Sequence, residues 1–308
     1  MRLSRDRHHL SWDSRIEPAA YIESGQELEV ELANSSGGQL HPGSRDADLL
    51  ALDFTRVNPV TGPIYVRGAA PGDGLKVTIL DIALEDWGWT ANIPGFGLLA
   101  EDFPDPRLVL SRVRGDEVEV DIGACLPLTP MIGTLGVAHA TPGPHSLVPP
   151  TRFGGNMDIR HLSRGSTVLL PVAVEGALLS LGDTHAAMGD GEVCGTGVET
   201  ASVVRLSVEV VPGAAPPFPV LQARPGHRSG DALVTTGIGP DLQRCARDAT
   251  RGMVDIVVAR TGIAPVDAYL LCSLTGDLVI SEIVDVPHWV VTMHLPLPVL
   301  GTLARRPA

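Results

Sequence analysis

The sequence has few cysteines and a shortage of positive charge. Its four cysteines are far apart and form no C-x-x-C pair, which argues against a disulfide framework and suits reduced thiols. The formal net charge is −13, whereas nucleic-acid backbones and anionic membranes are bound by clustered positive charge. We therefore expect a small molecule or another subunit as the partner, with no nucleic acid and no membrane.

The chain also lacks a long uninterrupted apolar run. Its first residues, MRLSRDRHHLSWDSR, carry charge without an apolar segment. The most apolar stretch, residues 167–181, is interrupted by Pro171 and Glu175, so it fits neither a signal peptide nor a membrane span. We expect a cytoplasmic protein, and 308 residues are enough for an extensive core with a buried site.

Strand-like segments dominate the first two thirds of the chain. Alternating apolar and polar residues, as in VRLSVEV, are typical of a sheet with one wet face. The 34 glycines and 26 prolines leave little room for long helices before residue 240. The pattern predicts a mainly β fold, either a β-sandwich or distorted barrel-like sheets, with a β-rich catalytic region at residues 1–211.

The pattern changes in the last third. After a turn predicted at residues 236–240, apolar residues recur every three or four positions through 241–260, which predicts an amphipathic helix. A second helix is predicted at 265–274, with proline in its first turn and glycine just past its end. Strands are predicted at 278–284 and 289–295. Residues 212–308 should therefore form an α+β region packed on the first as one compact unit.

The densest group of chemically active side chains lies in residues 182–199, GDTHAAMGDGEVCGTGVE. The five candidates are Asp183, His185, Asp190, Glu192 and Glu199. In an extended strand, residues two apart point to the same face. Asp183 and His185 would then offer an oxygen and a nitrogen ligand together.

Two further clusters hold candidate ligands. His41 lies in a polar loop, where it is either a metal ligand, a proton carrier or a plain loop histidine. The GGNMD segment offers Asn156 and Asp158, and its paired glycines allow the backbone to approach a ligand closely. The competing interpretation of GGNMD is a tight turn in which Asn156 and Asp158 bond local amides.

Mixed histidine and carboxylate ligands suit a divalent metal ion. The set Asp183, His185, Asp158, His41 and Asp190 favours zinc, although calcium or another divalent ion also accepts oxygen ligands.

The sequence alone does not decide which residue transfers protons. Glu192 and Glu199 compete for the role of general base, and one of them could instead bind the ion. Asn156 is the candidate for stabilising an oxyanion.

Longer motifs in the same order give a resemblance to a known family. They are GGQL from Gly37, LDFTRVNPVTGPIYV from Leu52, PGDGL from Pro71, IPGFGLL from Ile93, GGNMDIRHL from Gly154, the segment around GDTHAAMGDGEVCGTGVE and TTGIGPDL from Thr235. Together they resemble the acetamidase/formamidase family over roughly residues 8–295. One departure from the family pattern is Asn34, which stands where the family often has an acid shortly before GGQ.

The resemblance implies a β-rich cytoplasmic hydrolase, assembled as a homo-oligomer, that cleaves short aliphatic amides such as formamide or acetamide to carboxylate and ammonia. Related members are similar to zinc-containing lactam hydrolases, which makes a cyclic amide a further possibility. Our hypothesis is that a bound divalent ion lowers the pKa of a water molecule, which then attacks the amide carbonyl.

The near absence of lysine constrains two other amide-cleaving mechanisms, in which Lys76 would have to serve. Lys76 is the only lysine, whereas two large amidase classes need one in a Ser-Ser-Lys or a Glu-Lys-Cys array. Lys76 lies in the strand-like run GLKVTILDIAL, where we expect its stem on the sheet and its amine in water. The remaining alternatives are a thiol-dependent amidase using Cys194 and a non-enzymatic β protein that binds a metal or small molecule.

Overall fold

The structure is a computed structural model that describes residues 1–224 and 230–303. The described residues form twenty strands and four helices. The strands are β1 (Arg2–Leu3), β2 (His8–His9), β3 (Ala20–Ile22), β4 (Gln26–Leu32), β5 (Val60–Val66), β6 (Gly74–Leu84), β7 (Trp87–Asn92), β8 (Arg107–Arg114), β9 (Glu117–Val120), β10 (Ala124–Pro127), β11 (Met131–Gly136), β12 (Gly154–Asn156), β13 (Thr167–Pro171), β14 (Leu179–His185), β15 (Glu199–Thr200), β16 (Ser202–Val211), β17 (Val220–Ala223), β18 (Ala232–Gly239), β19 (Asp277–Glu282) and β20 (Trp289–Pro296). The helices are α1 (Asp46–Leu49), α2 (Leu242–Thr261), α3 (Pro265–Thr275) and α4 (Leu297–Leu303), and a 3₁₀ turn covers Phe54–Arg56.

Two large sheets carry the fold. The nine-stranded sheet has the order β1, β4, β16, β6, β13, β17, β18, β20, β19. The eleven-stranded sheet runs β10, β9, β8, β7, β15, β14, β11, β12, with β5 pairing with β14, β2 and β3. The prediction of a mainly β fold built from two sheets is confirmed.

The main core lies where the two sheets face each other. In β16, Val204 and Leu206 are fully buried while Arg205 between them is exposed, as the alternating sequence predicts. They belong to the same apolar cluster as Ile64 of β5 and Leu181 of β14. Burial of this shared face fixes β14, the central strand of the site, against the opposite sheet.

The C-terminal third has the α+β character that the sequence predicts. Helix α2 is capped at its start by Asp241, whose side chain accepts a hydrogen bond from the Arg244 N–H at 2.6 Å, and at its end by Gly262 in the left-handed conformation. Its apolar face, including Met253 and Val257, packs in one cluster with Leu295 of β20. Because β17 pairs with β13, a single sheet spans both regions that the sequence divides at residue 211.

One local prediction is wrong. The segment TTGIG at residues 235–239 is part of the buried strand β18 rather than a turn. Glycine is present there because α2 lies directly on the strand: a Cβ added at Gly237 would come within 2.9 Å of the Ala249 nitrogen. Close packing of helix on sheet, and not a reversal of the chain, explains the small residue.

No single helix among the described residues is long and apolar enough to cross a bilayer, and α2 and α3 satisfy length and composition only as a pair bent by 117°.

We expect His9 to make the fold sensitive to acid. Its Nε2 lies 2.8 Å from the Ser180 hydroxyl, and its Nδ1 lies 2.8 Å from the Ser11 carbonyl. Burial lowers the pKa of His9 to about 4, so its contribution to stability is present above pH 6.5 and is lost as pH falls toward 4. Between pH 7.5 and 5 the free energy of unfolding should fall by about 1–2 kcal/mol more in the wild type than in His9→Gln. Chemical denaturation at both pH values measures this. An equal fall in the free energy of unfolding in the two proteins would contradict it.

Candidate metal centre and active site

Strand β14 brings Asp183 and His185 together as the sequence predicts. His185 Nε2 lies 3.2 Å from Asp183 Oδ1, and both side chains are buried. The strand is not regular at this point, because Asp183 has a φ of 55°. Aspartate tolerates this left-handed conformation better than most residues.

Two glutamates of the 182–199 segment lie close to the same imidazole. Glu199 on β15 is the cross-strand partner of His185, and its Oε1 lies 3.1 Å from His185 Nε2. Glu192 Oε1 lies 4.0 Å from the same nitrogen. Glu199 is held firmly, since its carboxylate also accepts hydrogen bonds from the Ser35 hydroxyl at 2.6 Å and the Gly197 N–H at 2.9 Å.

Asp158 approaches from the GGNMD segment. Its backbone N–H donates to the Gly133 carbonyl of β11 at 3.2 Å, and its Oδ1 lies 4.0 Å from His185 Nδ1. Gly133 also makes room for the carboxylates: a Cβ at this position would collide with Asp158 Oδ1 and would lie 2.6 Å from Asp183 Oδ2. Asp158, Asp183, His185, Glu192 and Glu199 thus form one buried cluster. Gly133 leaves the space that its carboxylates occupy.

Asn156 anchors a polar network beside the cluster. Its Oδ1 accepts hydrogen bonds from Asn58 Nδ2 at 2.9 Å and from the Thr134 hydroxyl of β11. Its Nδ2 donates to Asp285 Oδ2 at 2.6 Å. These three contacts fix the orientation of the Asn156 amide and leave its second N–H for another acceptor.

Several residues of this site were not predicted from the sequence. Glu282 is the last residue of β19 and Asp285 follows the strand. Both side chains are buried beside the cluster. Two acids in the otherwise apolar run ISEIVDVP were a usable signal, because buried carboxyls are uncommon without a partner. Asn58 was part of the family motif RVNPV, but nothing in its immediate sequence identified it as a site residue.

Backbone strain is concentrated at the same place. Among the described residues, the six non-glycine residues with positive φ include Asn58, Asp158, Asp183 and Glu192, with φ values of 52°, 45°, 55° and 43°. Such conformations cost free energy and persist where the surrounding structure holds them, often at functional sites. Four site residues in this conformation support a functional role for the cluster.

The charges of the cluster influence one another strongly. Burial raises the pKa of Asp158 well above its usual range, and the neighbouring Asp183 raises it further. Burial alone would lower the pKa of His185, but the carboxylates of Glu199 and Asp183 raise it well above the ordinary value. For Asp183, burial acts to raise the pKa, yet the His185 charge lowers it on balance.

The other carboxyls are shifted upward. Burial, followed by the charge of Asp158, raises the pKa of both Glu192 and Asp285 well above the usual range. Burial raises the pKa of Glu199 to about 7 and that of Glu282 to about 7. So many buried carboxyls around one imidazole cannot all ionise unless a cation compensates them.

The cluster fits a divalent metal ion. Two sets have ligand atoms within 4.8 Å of one another, namely Asp158, Asp183 and His185, and His185, Glu192 and Glu199. Within the described part of the chain, both carboxylate oxygens of Asp158 and Nδ1 of His185 are buried without a hydrogen-bond partner. Buried polar atoms of this kind need a partner, and a mixed N,O donor set is one that divalent metals accept.

A cavity of about 360 Å³ opens onto the cluster. Asp183, Glu192, Glu199, Asn156 and Asp285 line its polar end. A concave, largely apolar site with a few convergent polar groups is the usual form of a small-molecule site.

Two proposed metal ligands lie outside the cluster. His41 is exposed in its loop and its Nδ1 accepts a hydrogen bond from the Gly43 N–H at 3.1 Å. Asp190 faces Arg160, with 3.7 Å between its Oδ2 and the Arg160 Nη1. The structure brings neither residue into the ligand sets around His185.

The residues of the rival mechanisms, Lys76 and Cys194, are not among those that line this cavity. Lys76 is exposed and paired with Glu209 at 2.9 Å, as expected for a stem on the sheet with its amine in water. Cys194 lines a neighbouring cavity instead, where its thiol donates to the Thr196 carbonyl at 3.4 Å.

The chain superposes on an acetamidase from Bacillus halodurans with a TM-score of 0.90 and 37 % sequence identity, covering 98 % of this chain and 99 % of that one. It is 27 % identical to a formamidase from Methylophilus methylotrophus, covering 94 % of this chain and 88 % of that protein.

An acetamidase from Mycolicibacterium smegmatis is 29 % identical over 67 % of this chain, and the match spans 66 % of that protein, just under two thirds. The model of the Acetamidase/Formamidase family matches residues 2–147 and 140–301, nearly all of the chain and slightly more than the motifs indicate. The chain belongs to the acetamidase/formamidase family.

Proposed function

We propose that this protein is a hydrolase of carbon–nitrogen bonds in linear amides, cleaving short aliphatic amides such as formamide or acetamide to carboxylate and ammonia. The observation that carries the proposal is the buried cluster around His185 at the polar end of the cavity. Membership of the acetamidase/formamidase family supports the same reaction class.

The proposed cofactor is one divalent ion, most simply zinc, held by Asp158, Asp183 and His185. When bound, such an ion supplies Lewis acidity that lowers the pKa of water and polarises a carbonyl oxygen. The donor set supports this choice, because histidine with carboxylates and without thiolate is common in catalytic zinc sites.

In this proposal Glu199 and Glu192 have different roles. Glu199 already accepts hydrogen bonds from Ser35 and Gly197, and its carboxylate lies 3.1 Å from His185 Nε2, so its role is to orient the imidazole. Glu192 lines the cavity and lies further from His185. Glu192 therefore takes the proton from water and delivers it to the amide nitrogen, which must be protonated before ammonia leaves.

Asn156 is the proposed donor to the developing oxyanion. One of its amide hydrogens is used by Asp285, and the other remains for the substrate carbonyl. Its Oδ1 bonds with Asn58 and Thr134 keep the N–H side turned to the cavity without reorganisation during the reaction.

The direct test is ammonia release from formamide and acetamide, before and after a chelator and before and after thiol alkylation. Loss of activity on chelation, with activity retained after alkylation, is the expected result. Activity that resists chelation and disappears on alkylation would contradict the proposal and favour a thiol mechanism at Cys194. A binding protein would release no ammonia under any condition.

We further propose a cytoplasmic homo-oligomer. The four cysteines are free, in keeping with a reducing compartment. Apolar side chains such as Leu98, Leu99 and Phe103 are more than half exposed, and contiguous exposed apolar surface commonly marks an interface. Light scattering of the purified protein tests the assembly, and a monomeric mass would contradict it.

A further inference from the structure

The acyl side of the cavity is larger and more apolar than formamide or acetamide requires. Eight of the side chains that line it are apolar, among them Leu52, Val57, Trp89, Ile93, Phe96 and Val148. Its volume is about 360 Å³, within the range of about 300–1,000 Å³ that suits ligands of many heavy atoms. Formamide has no carbon substituent and acetamide has one methyl group, so either would leave most of this wall in contact with water.

The apolar wall begins directly beside the carboxylates. Trp89 is the cross-strand partner of Glu199 in the β7–β15 pair, and side chains of directly paired residues lie about 4.5–5.5 Å apart at Cβ. Trp89 is 3 % exposed, so its indole is part of the packed wall and not a surface ring. Trp89 therefore offers an apolar surface beside the cluster for the acyl substituent of a bound carboxamide.

The wall continues away from the cluster through Phe96. A Cβ at Gly195 would collide with the Phe96 ring, so this glycine lets the ring lie against the 192–199 loop. Gly195 has a φ of 84°, which glycine adopts without strain. Ile93 and Val148 also line the cavity, and together these residues form an apolar trough rather than a single methyl-sized pocket.

Resting on the amide hydrolysis of the proposed function, we propose that the substrate range extends beyond short aliphatic amides, and that primary amides with a bulky apolar acyl group, of the size and chemistry of phenylacetamide, are preferred over acetamide. Each buried methylene adds about 0.8 kcal/mol of favourable transfer free energy, about fourfold in binding. The reaction is R–CO–NH₂ + H₂O → R–COO⁻ + NH₄⁺. The C–N bond breaks and a C–O bond forms, and ammonia takes up the proton that the carboxylic acid releases.

The test is kcat/KM for formamide, acetamide and phenylacetamide, measured by ammonia release. We expect kcat/KM for phenylacetamide to exceed that for acetamide by at least about tenfold. Hydrolysis of acetamide with none of phenylacetamide would overturn this inference and leave the proposed function standing. Release of ammonia from none of the three would overturn both.

Variants that fill the trough give a second test. Val148→Phe should lower the ratio of phenylacetamide to acetamide kcat/KM by about tenfold or more. Val57→Phe, in another part of the wall, should have the same effect and replaces the first variant if that one does not fold. Val266→Phe, 62 % exposed on α3, is the matched control and should leave the ratio unchanged. An unchanged ratio in a folded trough variant would overturn the inference.

Discussion

Replacing Glu192 by glutamine should lower kcat by about 10²–10⁴-fold, the usual contribution of a positioned general acid or base. Glutamine has the shape of glutamate but cannot carry the proton from water to the amide nitrogen. The fold should survive, because burial disfavours the charged form of Glu192 and a neutral amide removes that cost. Ammonia release under saturating substrate measures the effect.

Two comparisons make the Glu192→Gln result specific. Glu117→Gln, at an exposed position on β9, is the matched control and should keep wild-type kcat. Glu199→Gln should weaken metal retention as well as activity, since Glu199 lies 3.1 Å from His185 Nε2. A Glu192→Gln enzyme with nearly wild-type kcat would show that another group moves the proton.

The Gly133→Ala variant should weaken metal binding by about 10–100-fold, as changes in the groups that orient metal ligands commonly do. The added Cβ would lie 2.6 Å from Asp183 Oδ2 and would collide with Asp158 Oδ1. The two carboxylates would have to move apart, which removes them from positions where they can share an ion. Titration of the metal-depleted protein with zinc, followed by calorimetry, measures the loss.

The control for Gly133→Ala is Gly189→Ala, because a Cβ at Gly189 would meet nothing within 4 Å. Circular dichroism of both variants separates a local change from loss of the fold. Wild-type zinc affinity in a folded Gly133→Ala protein would show that Asp158 and Asp183 do not bind the ion together.

Much of the fold was predictable because its strands and helices carry periodic sequences. The alternation in β16 and the three- and four-residue spacing in α2 each reflect one buried face, which is what hydrophobic periodicity reports. Strands such as β7 and β11 were not predicted. Their sequences, WGWTAN and MIGTLG, place glycines where a neighbouring strand or carboxylate approaches closely, and glycine in a sequence is more often a sign of a turn.

The site was predictable only as far as its residues are close in sequence. Asp183 and His185 are two apart on one strand, and Glu199 follows on the partner strand, so their meeting could be inferred. Asp285 follows β19, and Asn58 precedes β5. Their positions depend on sheet topology, which local pattern does not reveal. His41 and Asp190 show the reverse case: suitable residue types whose backbone places them elsewhere.

The central claim is that the buried residues around His185 hold a catalytic divalent ion, and metal content measures it most directly. Elemental analysis of the purified wild type should find about one zinc or equivalent divalent ion per chain, and the folded His185→Ala variant should hold almost none. Equal metal content in the two proteins, or a fully active wild type with no bound ion, would contradict the account.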